Sequence, residues 1–388
     1  MIRGTTALGL LSELIRIRSV AADEGAVARR CAAVLDEAGL HTTLLPWVDG
    51  REQLVARTDG GSGGDGPPLT FAGHVDTVPA RPEDWSHDPW SGERDGDRVL
   101  GRGASDMKSG VAAAVDAVAT HVRRPHACRG VQVVLAAGEE TGCTGAREIA
   151  GTSLARGGPL LVPEPTANAL VPAHKGALWL RLSATGRASH GSAPEWGDNA
   201  VVRLSRAAVA LHDHDVWPSR DGFGAVTANV GVLRGGVQTN VVPDAAEMWL
   251  DLRTVPGTDL SALRRLVADL AGEGVTVTDD VVLPPVDTTP DDPFVGLVRD
   301  GLADVGLDGS VQPPARFFTD ASVLSGLLAD SDGEVDGAGD ADSVPTVILG
   351  PGEPDQCHVV DEWCSASKVD AASAAYAAVL DRWCGARG

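Results

Sequence analysis

Short apolar runs that each end in a glycine-rich or charged segment are the strongest constraint on the fold of this chain. Pro68–Ala72, Val131–Ala136 and Leu160–Val162 have the length and composition of buried strands, and Val111–Thr120 has those of an alanine-rich helix. Alternating strands and helices favour an α/β domain with a mostly parallel sheet and helices on both faces. Ligands of such sheets gather at the carboxyl ends of the strands, so the residues that follow each run are the first candidates for a site.

The pattern changes after about Lys175, where alternating strands are separated by two amphipathic helices. We predict a compact α+β insertion at residues 174–287, while residues 1–173 and 288–388 form the first domain. The elements predicted within the insertion are the strands Ala177–Ala184, Ala225–Val232 and Glu247–Arg253 and the helices Asn199–Asp213 and Leu260–Ala271.

Composition narrows the choice of partners and location. The formal net charge of -22 argues against nucleic acid and anionic membranes as partners. An apolar N-terminal stretch is interrupted by Glu13 and Arg16, so we expect an amphipathic helix in a cytoplasmic protein and not a signal peptide. The six cysteines are scattered and form no CxxC pair, so we expect mostly buried free thiols. The segment Asp330–Asp342 predicts a mobile acidic surface loop.

A histidine and an aspartate follow the first apolar run. His74 and Asp76 are two residues apart, so they lie on the same side of an extended segment. One interpretation is a pair that stabilises the loop. The other is a metal ligand whose second ring nitrogen is held by the aspartate.

Acidic residues occupy comparable places along the chain. Asp106 ends a glycine-rich approach to a helix, where it could be an N-cap or a ligand. Glu139 and Glu140 end a buried strand, and two adjacent buried acids favour a cation beside them or a proton on one. One of the two would bind metal and the other would serve as a general base. Glu164 stands between two prolines that fix its backbone, which suits a ligand.

The last candidate is His358, which follows the apolar run Val347–Leu349 and a Gly-Pro-Gly turn. Alone it would be an ordinary loop histidine. Together, His74, Asp106, Glu140, Glu164 and His358 have the composition of a site for two metal ions, with Glu139 as the spare carboxylate.

Ordered motifs from His74 to Glu362 strengthen this interpretation. They are GHVDTVP, GRGASDMKSG, EETGCTGA, PEPT, HKG, ASHGSAPEWGDNA, TNVVPD, DLRTVPG, TDA and GPGEPDQCHVVDE. The series resembles the zinc metallopeptidase family that includes acetylornithine deacetylases, succinyl-diaminopimelate desuccinylases, aminoacylases and carboxypeptidase-G-type enzymes. The resemblance covers nearly the whole chain.

The resemblance implies a role for each candidate. His74 and Glu164 would complete one zinc site, Glu140 and His358 the other, and Asp106 would bridge both. Cobalt could substitute for zinc. Asp76 would orient His74, and Glu139 would be the general base. A cis peptide bond after Asp106 is also expected.

The insertion resembles the lid and dimerisation domain of the family. His190 matches a histidine that reaches the active site of the partner subunit, so a homodimer is expected. Asn240 and Arg253 stand where the family recognises its substrate, and Arg253 could hold a carboxylate or form an ordinary salt bridge on its strand.

The resemblance is greatest to the acetylornithine deacetylase branch. It implies a zinc-dependent amidohydrolase that removes an acyl group, acetyl in the first instance, from an N-acyl amino acid such as N-acetylornithine. A succinyl-diaminopimelate desuccinylase, or a dipeptidase or carboxypeptidase that acts on short peptides, is the alternative. A metal-binding protein without activity is a remote alternative, because Glu139 and all five candidate ligands are present.

Overall fold

A computed structural model describes residues 6–20, 23–58, 66–124, 130–149, 154–329 and 343–385. Its helices are α1 (Ala7–Arg16), α2 (Gly25–Ala38), α3 (Ser109–Val122), α4 (Ala200–Asp213), α5 (Leu260–Ala271), α6 (Pro293–Asp304), α7 (Ala321–Leu327) and α8 (Ala366–Gly385). Its strands are β1 (His41–Pro46), β2 (Glu52–Arg57), β3 (Leu69–His74), β4 (Arg94–Asp95), β5 (Arg98–Leu100), β6 (Val131–Ala136), β7 (Leu160–Val162), β8 (Ala173–His174), β9 (Gly176–Thr185), β10 (Ser219–Arg220), β11 (Gly224–Ala225), β12 (Thr227–Gly235), β13 (Ala245–Thr254), β14 (Val275–Leu283), β15 (Val286–Asp287), β16 (Thr346–Ile348) and β17 (Trp363–Ser365).

A six-stranded mixed sheet organises the first part of the fold, in the order β1-β2-β6-β3-β7-β16. Strands β6, β3, β7 and β16 are parallel, and β1 and β2 add an antiparallel edge. The carboxyl ends of β6, β3 and β7 therefore lie side by side. This confirms the α/β class and the mostly parallel sheet predicted from the apolar runs.

Side chains of the sheet alternate between two buried faces, as the pleat of a strand requires. Val133 and Leu135 of β6 join the cluster that contains α1, α2, α3, α6 and α8. Val134 and Ala136 join the opposite cluster, which contains α7. Both faces are buried, so the central strands are mostly apolar rather than alternately polar, and two of their polar residues, Thr70 and Gln132, bond to each other.

A separate four-stranded antiparallel sheet, β12-β13-β9-β14, carries α4 and α5 on one face. Leu178, Leu180 and Leu182 of β9 point into the core under these helices, which is the period of two expected for a half-buried strand. Asn199 and Asp259 cap α4 and α5 by accepting backbone N–H bonds. The predicted α+β segment is therefore confirmed as a separate sheet with its own core.

The chain passes between the two sheets through a short antiparallel ladder. Val286 of β15 pairs with His174 of β8, and Asp287 pairs with Ala173. The predicted boundaries at 173/174 and 287/288 coincide with this ladder and remain a prediction. The predicted acidic loop Asp330–Asp342 lies outside the described residues. In the described part of the chain, no helix combines the length and apolar character needed to cross a membrane.

Candidate metal centre

Three neighbouring parallel strands deliver four of the candidate residues to one edge of the sheet. His74 is the last residue of β3, Glu139 and Glu140 follow β6, and Glu164 follows β7. Because β3 lies between β6 and β7, His74 stands between the acidic residues of its two neighbours.

Asp106 comes from an irregular turn that precedes α3. Helix α3 begins at Ser109, and its N-cap position is Lys108 without a capping side chain, so Asp106 is not the N-cap. The backbone at Asp106 is extended, with φ -117° and ψ 98°, and the Asp106–Met107 peptide bond is cis, as the resemblance implies.

Asp106 lies between the two candidate histidines. Its Oδ1 is 3.2 Å from His74 Nε2, and its Oδ2 is 3.3 Å from His358 Nε2. His74 Nε2 is also 3.7 Å from Glu164 Oε1, while His358 Nε2 is 3.0 Å from Glu140 Oε2. Ligand atoms of His74, Asp106 and Glu140 all lie within 4.8 Å of one another. The structure thus brings together all five residues that the sequence singled out as ligands.

The charges at this site are unbalanced in a way that suits cations. Glu139 and Glu164 are 6% and 4% exposed, and burial raises the pKa of both carboxyl groups well above the usual range. Burial alone would lower the pKa of His74, but the neighbouring carboxylates of Asp106 and Asp76 raise it well above the ordinary value. Four carboxylates face two imidazoles, so the donor set fits divalent metal ions that neutralise the excess charge.

Asp76 makes contacts beyond those predicted. Its Oδ1 accepts backbone N–H bonds from Gly138 (2.9 Å) and Glu139 (3.2 Å), and its Oδ2 accepts one from Glu140 (3.1 Å). His74 Nδ1 is 3.0 Å from the backbone carbonyl oxygen of Asp76 but 3.6 Å from its carboxylate. The carboxylate therefore holds the turn with the two glutamates, and the backbone carbonyl is the closer partner of the His74 ring.

The remaining predicted residues lie on the antiparallel sheet and its loops. His190 and Asn240 are exposed and adjacent, since His190 bridges to Val241 and the Gly191 N–H donates to the Asn240 carbonyl oxygen. His190 Nδ1 lies 2.7 Å from Ser192 Oγ. The Arg253 guanidinium pairs with Asp251 at 2.9 Å and lies 4.7 Å from the centroid of the Phe318 ring. The structure therefore shows the salt bridge that the sequence left open for Arg253.

Two buried acids near the site were not singled out from the sequence. Asp320 is 1% exposed, and burial raises its pKa to about 7. Glu362 is fully buried below the Asp106 turn. Asp320 lies in the motif TDA and Glu362 in the motif CHVVDE, and membership of these motifs was the only signal in the sequence that pointed to them.

The two cysteines beside candidate ligands are poor ligands themselves. Burial raises the pKa of Cys143 well above its usual value and also raises that of Cys357. Metals bind the thiolate form, which a high pKa disfavours. Cys143 is buried, as predicted, whereas Cys357 is only half-buried. Cys128 lies outside the described residues.

Comparisons with known proteins identify the family of this chain. Residues 70–382 match the model of peptidase family M20/M25/M40. The chain is 27% identical over 377 residues to the acetylornithine deacetylase of Klebsiella pneumoniae, with 90% of each chain covered. It is 25% identical over 388 residues to a probable succinyl-diaminopimelate desuccinylase of Staphylococcus aureus, with 92% of this chain and 93% of the relative covered.

Solved structures share the fold over nearly the full length. The M20 family metallo-carboxypeptidase Sso-CP2 of Sulfolobus solfataricus superimposes with a TM-score of 0.78 at 17% identity, covering 97% of this chain and 99% of that one. The YXEP protein of Bacillus subtilis, described as a dinuclear metal-binding peptidase of the M20 family, gives a TM-score of 0.67 at 14% identity with 96% of each chain covered. The chain described here belongs to peptidase family M20/M25/M40 and is a metal-dependent hydrolase of that family.

Proposed function

We propose that this protein removes the acyl group, acetyl in the first instance, from an N-acyl amino acid such as N-acetylornithine. The observation that carries the proposal is the meeting of two imidazoles and four carboxylates at the carboxyl ends of β6, β3 and β7, with Glu139 buried among them. The choice of deacetylase within the family rests on the motifs HKG, DLRTVPG and GPGEPDQCH and on relatives named acetylornithine deacetylase.

Two zinc ions are the proposed metals, and cobalt could replace them. His74 and Glu164 would complete one site, Glu140 and His358 the other, and Asp106 would serve both. Imidazole nitrogen and carboxylate oxygen are donors that zinc prefers. When bound, such a pair of metals lowers the pKa of a water molecule and polarises the carbonyl group of the substrate.

Glu139 is the proposed general base. Burial raises the pKa of this carboxyl group well above its usual value, so it holds a proton more readily, which suits a group that must accept a proton from water and later give it to the leaving amine. Asp76 would keep this carboxylate in place through the backbone N–H groups of Glu139 and its neighbours.

His190 and Asn240 would act from the surface of the inserted domain. In a homodimer, His190 would reach the site of the partner subunit and stabilise the oxyanion of the tetrahedral intermediate. Asn240 would bind substrate beside it. Arg253 would bind a substrate carboxylate only by exchanging its pairing with Asp251, so we assign it to substrate binding with that exchange as a condition.

A substrate panel tests the proposal. Metal-replete protein is assayed with N-acetylornithine, other N-acetyl amino acids, N-succinyl-diaminopimelate and dipeptides, each with and without a chelator. The expected result is chelator-sensitive release of the free amine from the N-acetyl amino acids. Preferential cleavage of the succinyl substrate or of dipeptides would replace the deacetylase assignment. No cleavage by protein that holds two metals would overturn the proposed reaction.

A further inference from the structure

A fully buried carboxylate lies beneath the candidate metal centre, four residues after His358. Glu362 is 0% exposed and accepts four hydrogen bonds. Its Oε1 accepts from the backbone N–H groups of Ser105 (2.8 Å) and Asp106 (3.1 Å). Its Oε2 accepts from the Gly103 N–H (2.9 Å) and from Arg102 Nη1 (2.6 Å). One side chain therefore collects three backbone N–H groups of the turn that presents Asp106.

Further bonds attach the segment that carries His358 to the same turn. The Ser105 hydroxyl donates to the Trp363 carbonyl oxygen at 2.7 Å and accepts from the Glu353 N–H at 2.9 Å. The Gly101 N–H donates to the Glu362 carbonyl oxygen at 2.9 Å. Asp106 and His358 are far apart in sequence, so their 3.3 Å approach depends on this attachment.

The hydrogen-bond pattern demands a carboxylate at this position. Each oxygen of Glu362 faces two donors, and a glutamine would place an NH₂ group against two of them in either orientation of its amide. A buried donor that loses its acceptor is costly, so the turn would have to move. Glutamine has the shape of glutamate with one oxygen replaced by nitrogen, so Glu362→Gln is expected to disturb Asp106.

We propose that Glu362 is a positioning residue that sets Asp106 against His358 and thereby determines the affinity of the site for its metals. The proposal rests on the proposed function, because it takes Asp106 and His358 as ligands. In this role Glu362 would bind neither metal nor substrate, and it would act only through its hydrogen bonds to the turn. Asp76 collects three N–H groups of the Glu139 turn in the same way, so two acidic turns of the site, those of Asp106 and Glu139, are each held by a buried carboxylate.

The test compares metal binding by the wild-type protein and Glu362→Gln, using titration with Zn²⁺ and Co²⁺ against a chromogenic chelator. The expected result is two bound metals in the wild type and an affinity that is about 10–100-fold weaker in the variant. Glu353→Gln is the matched control. Glu353 is also a buried acid of this segment, but its carboxylate pairs with Lys368 at 2.6 Å and not with the Asp106 turn. The control should bind metals like the wild type.

Thermal unfolding of the metal-free proteins separates positioning from stability. A purely structural role would lower Tm in Glu362→Gln while the folded protein still bound two metals with wild-type affinity, and that result would overturn the proposal. A wild-type protein that binds no metals would refute the proposed function itself, which is a different outcome.

Amide exchange provides a measurement that needs no variant, in case Glu362→Gln does not fold. The N–H groups of Gly103, Ser105 and Asp106 are bonded to a buried carboxylate, so they should exchange slowly in the wild-type protein, like those of a helix interior. Exchange at the rate of an exposed loop would contradict the role assigned to Glu362.

Discussion

At the residue scale, burial decides which titratable groups influence stability. His174 is 0% exposed, with Nδ1 at 2.8 Å from the Lys175 carbonyl oxygen and Nε2 at 3.1 Å from Thr319 Oγ1. Burial lowers the pKa of this imidazole from 6.5 to about 4. The folded protein therefore binds the proton of His174 less tightly than the unfolded chain does.

The consequence is a loss of stability in acid. Neutral His174 contributes to the free energy of unfolding above pH 6.5. This contribution is lost as the pH falls from 6.5 towards 4, because only the unfolded chain takes up the proton in that range. The loss amounts to about 3 kcal/mol. Urea unfolding of the protein, kept free of metal by a chelator, between pH 7 and 4 measures this loss of stability. The free energy of unfolding of His174→Gln should depend less on pH than that of the wild type. His212 is exposed, so His212→Gln should keep the pH dependence of the wild type. Equal slopes for His174→Gln and the wild type would contradict this account.

At the element scale, the close approach of α3 to the Glu164 segment depends on a glycine. A Cβ atom added at Gly110 would lie 1.8 Å from the Pro163 carbonyl oxygen, which is far closer than van der Waals contact. Glu164 follows directly, so the spacing between this helix and β7 sets the position of a candidate ligand.

Gly110→Ala should therefore destabilise the protein by about 1–3 kcal/mol and weaken metal binding as the Glu164 segment shifts. Gly296→Ala is the matched control, because among the described residues only the Arg299 side chain, at 3.7 Å, lies within 4 Å of the added atom. That substitution in α6 should be neutral or stabilising by up to about 1 kcal/mol. Thermal unfolding and metal titration of both variants give the comparison. Equal effects of the two substitutions would contradict a close-packing role for Gly110.

Elements could be predicted from sequence where their signal is local. The strand Val131–Ala136 and the helix Leu260–Ala271 were placed with the bounds observed, because apolar runs and helical periodicity are properties of neighbouring residues. Glu362 could not be placed in this way. Its partners Ser105 and Asp106 are 257 and 256 positions away, and an acid near the end of a polar segment has the pattern of a surface residue.

At the scale of the whole molecule, the proposed chemistry needs two subunits. His190 and Asn240 lie exposed on the inserted segment, and the candidate ligands lie at the end of the other sheet. The resemblance to the family predicts that His190 acts on the site of the partner subunit.

Complementation between two inactive variants tests this arrangement. Glu139→Gln and His190→Ala should each have low activity as homodimers. Co-expression should restore about a quarter of wild-type activity, because half the dimers are mixed and each of these has one site with Glu139 and a partner histidine. Size-exclusion chromatography measures the oligomeric state of each sample. No recovery in mixed dimers would place His190 in its own subunit's site or outside catalysis.

In the proposed mechanism, Glu139 moves the proton while other residues hold the metals. The most direct test measures kcat and metal content of Glu139→Gln on the best substrate of the panel. We predict a kcat that is lower by about 10²–10⁴-fold with two metals still bound. Wild-type activity in this variant would contradict the role of Glu139, and loss of the metals would make it a ligand instead of the base.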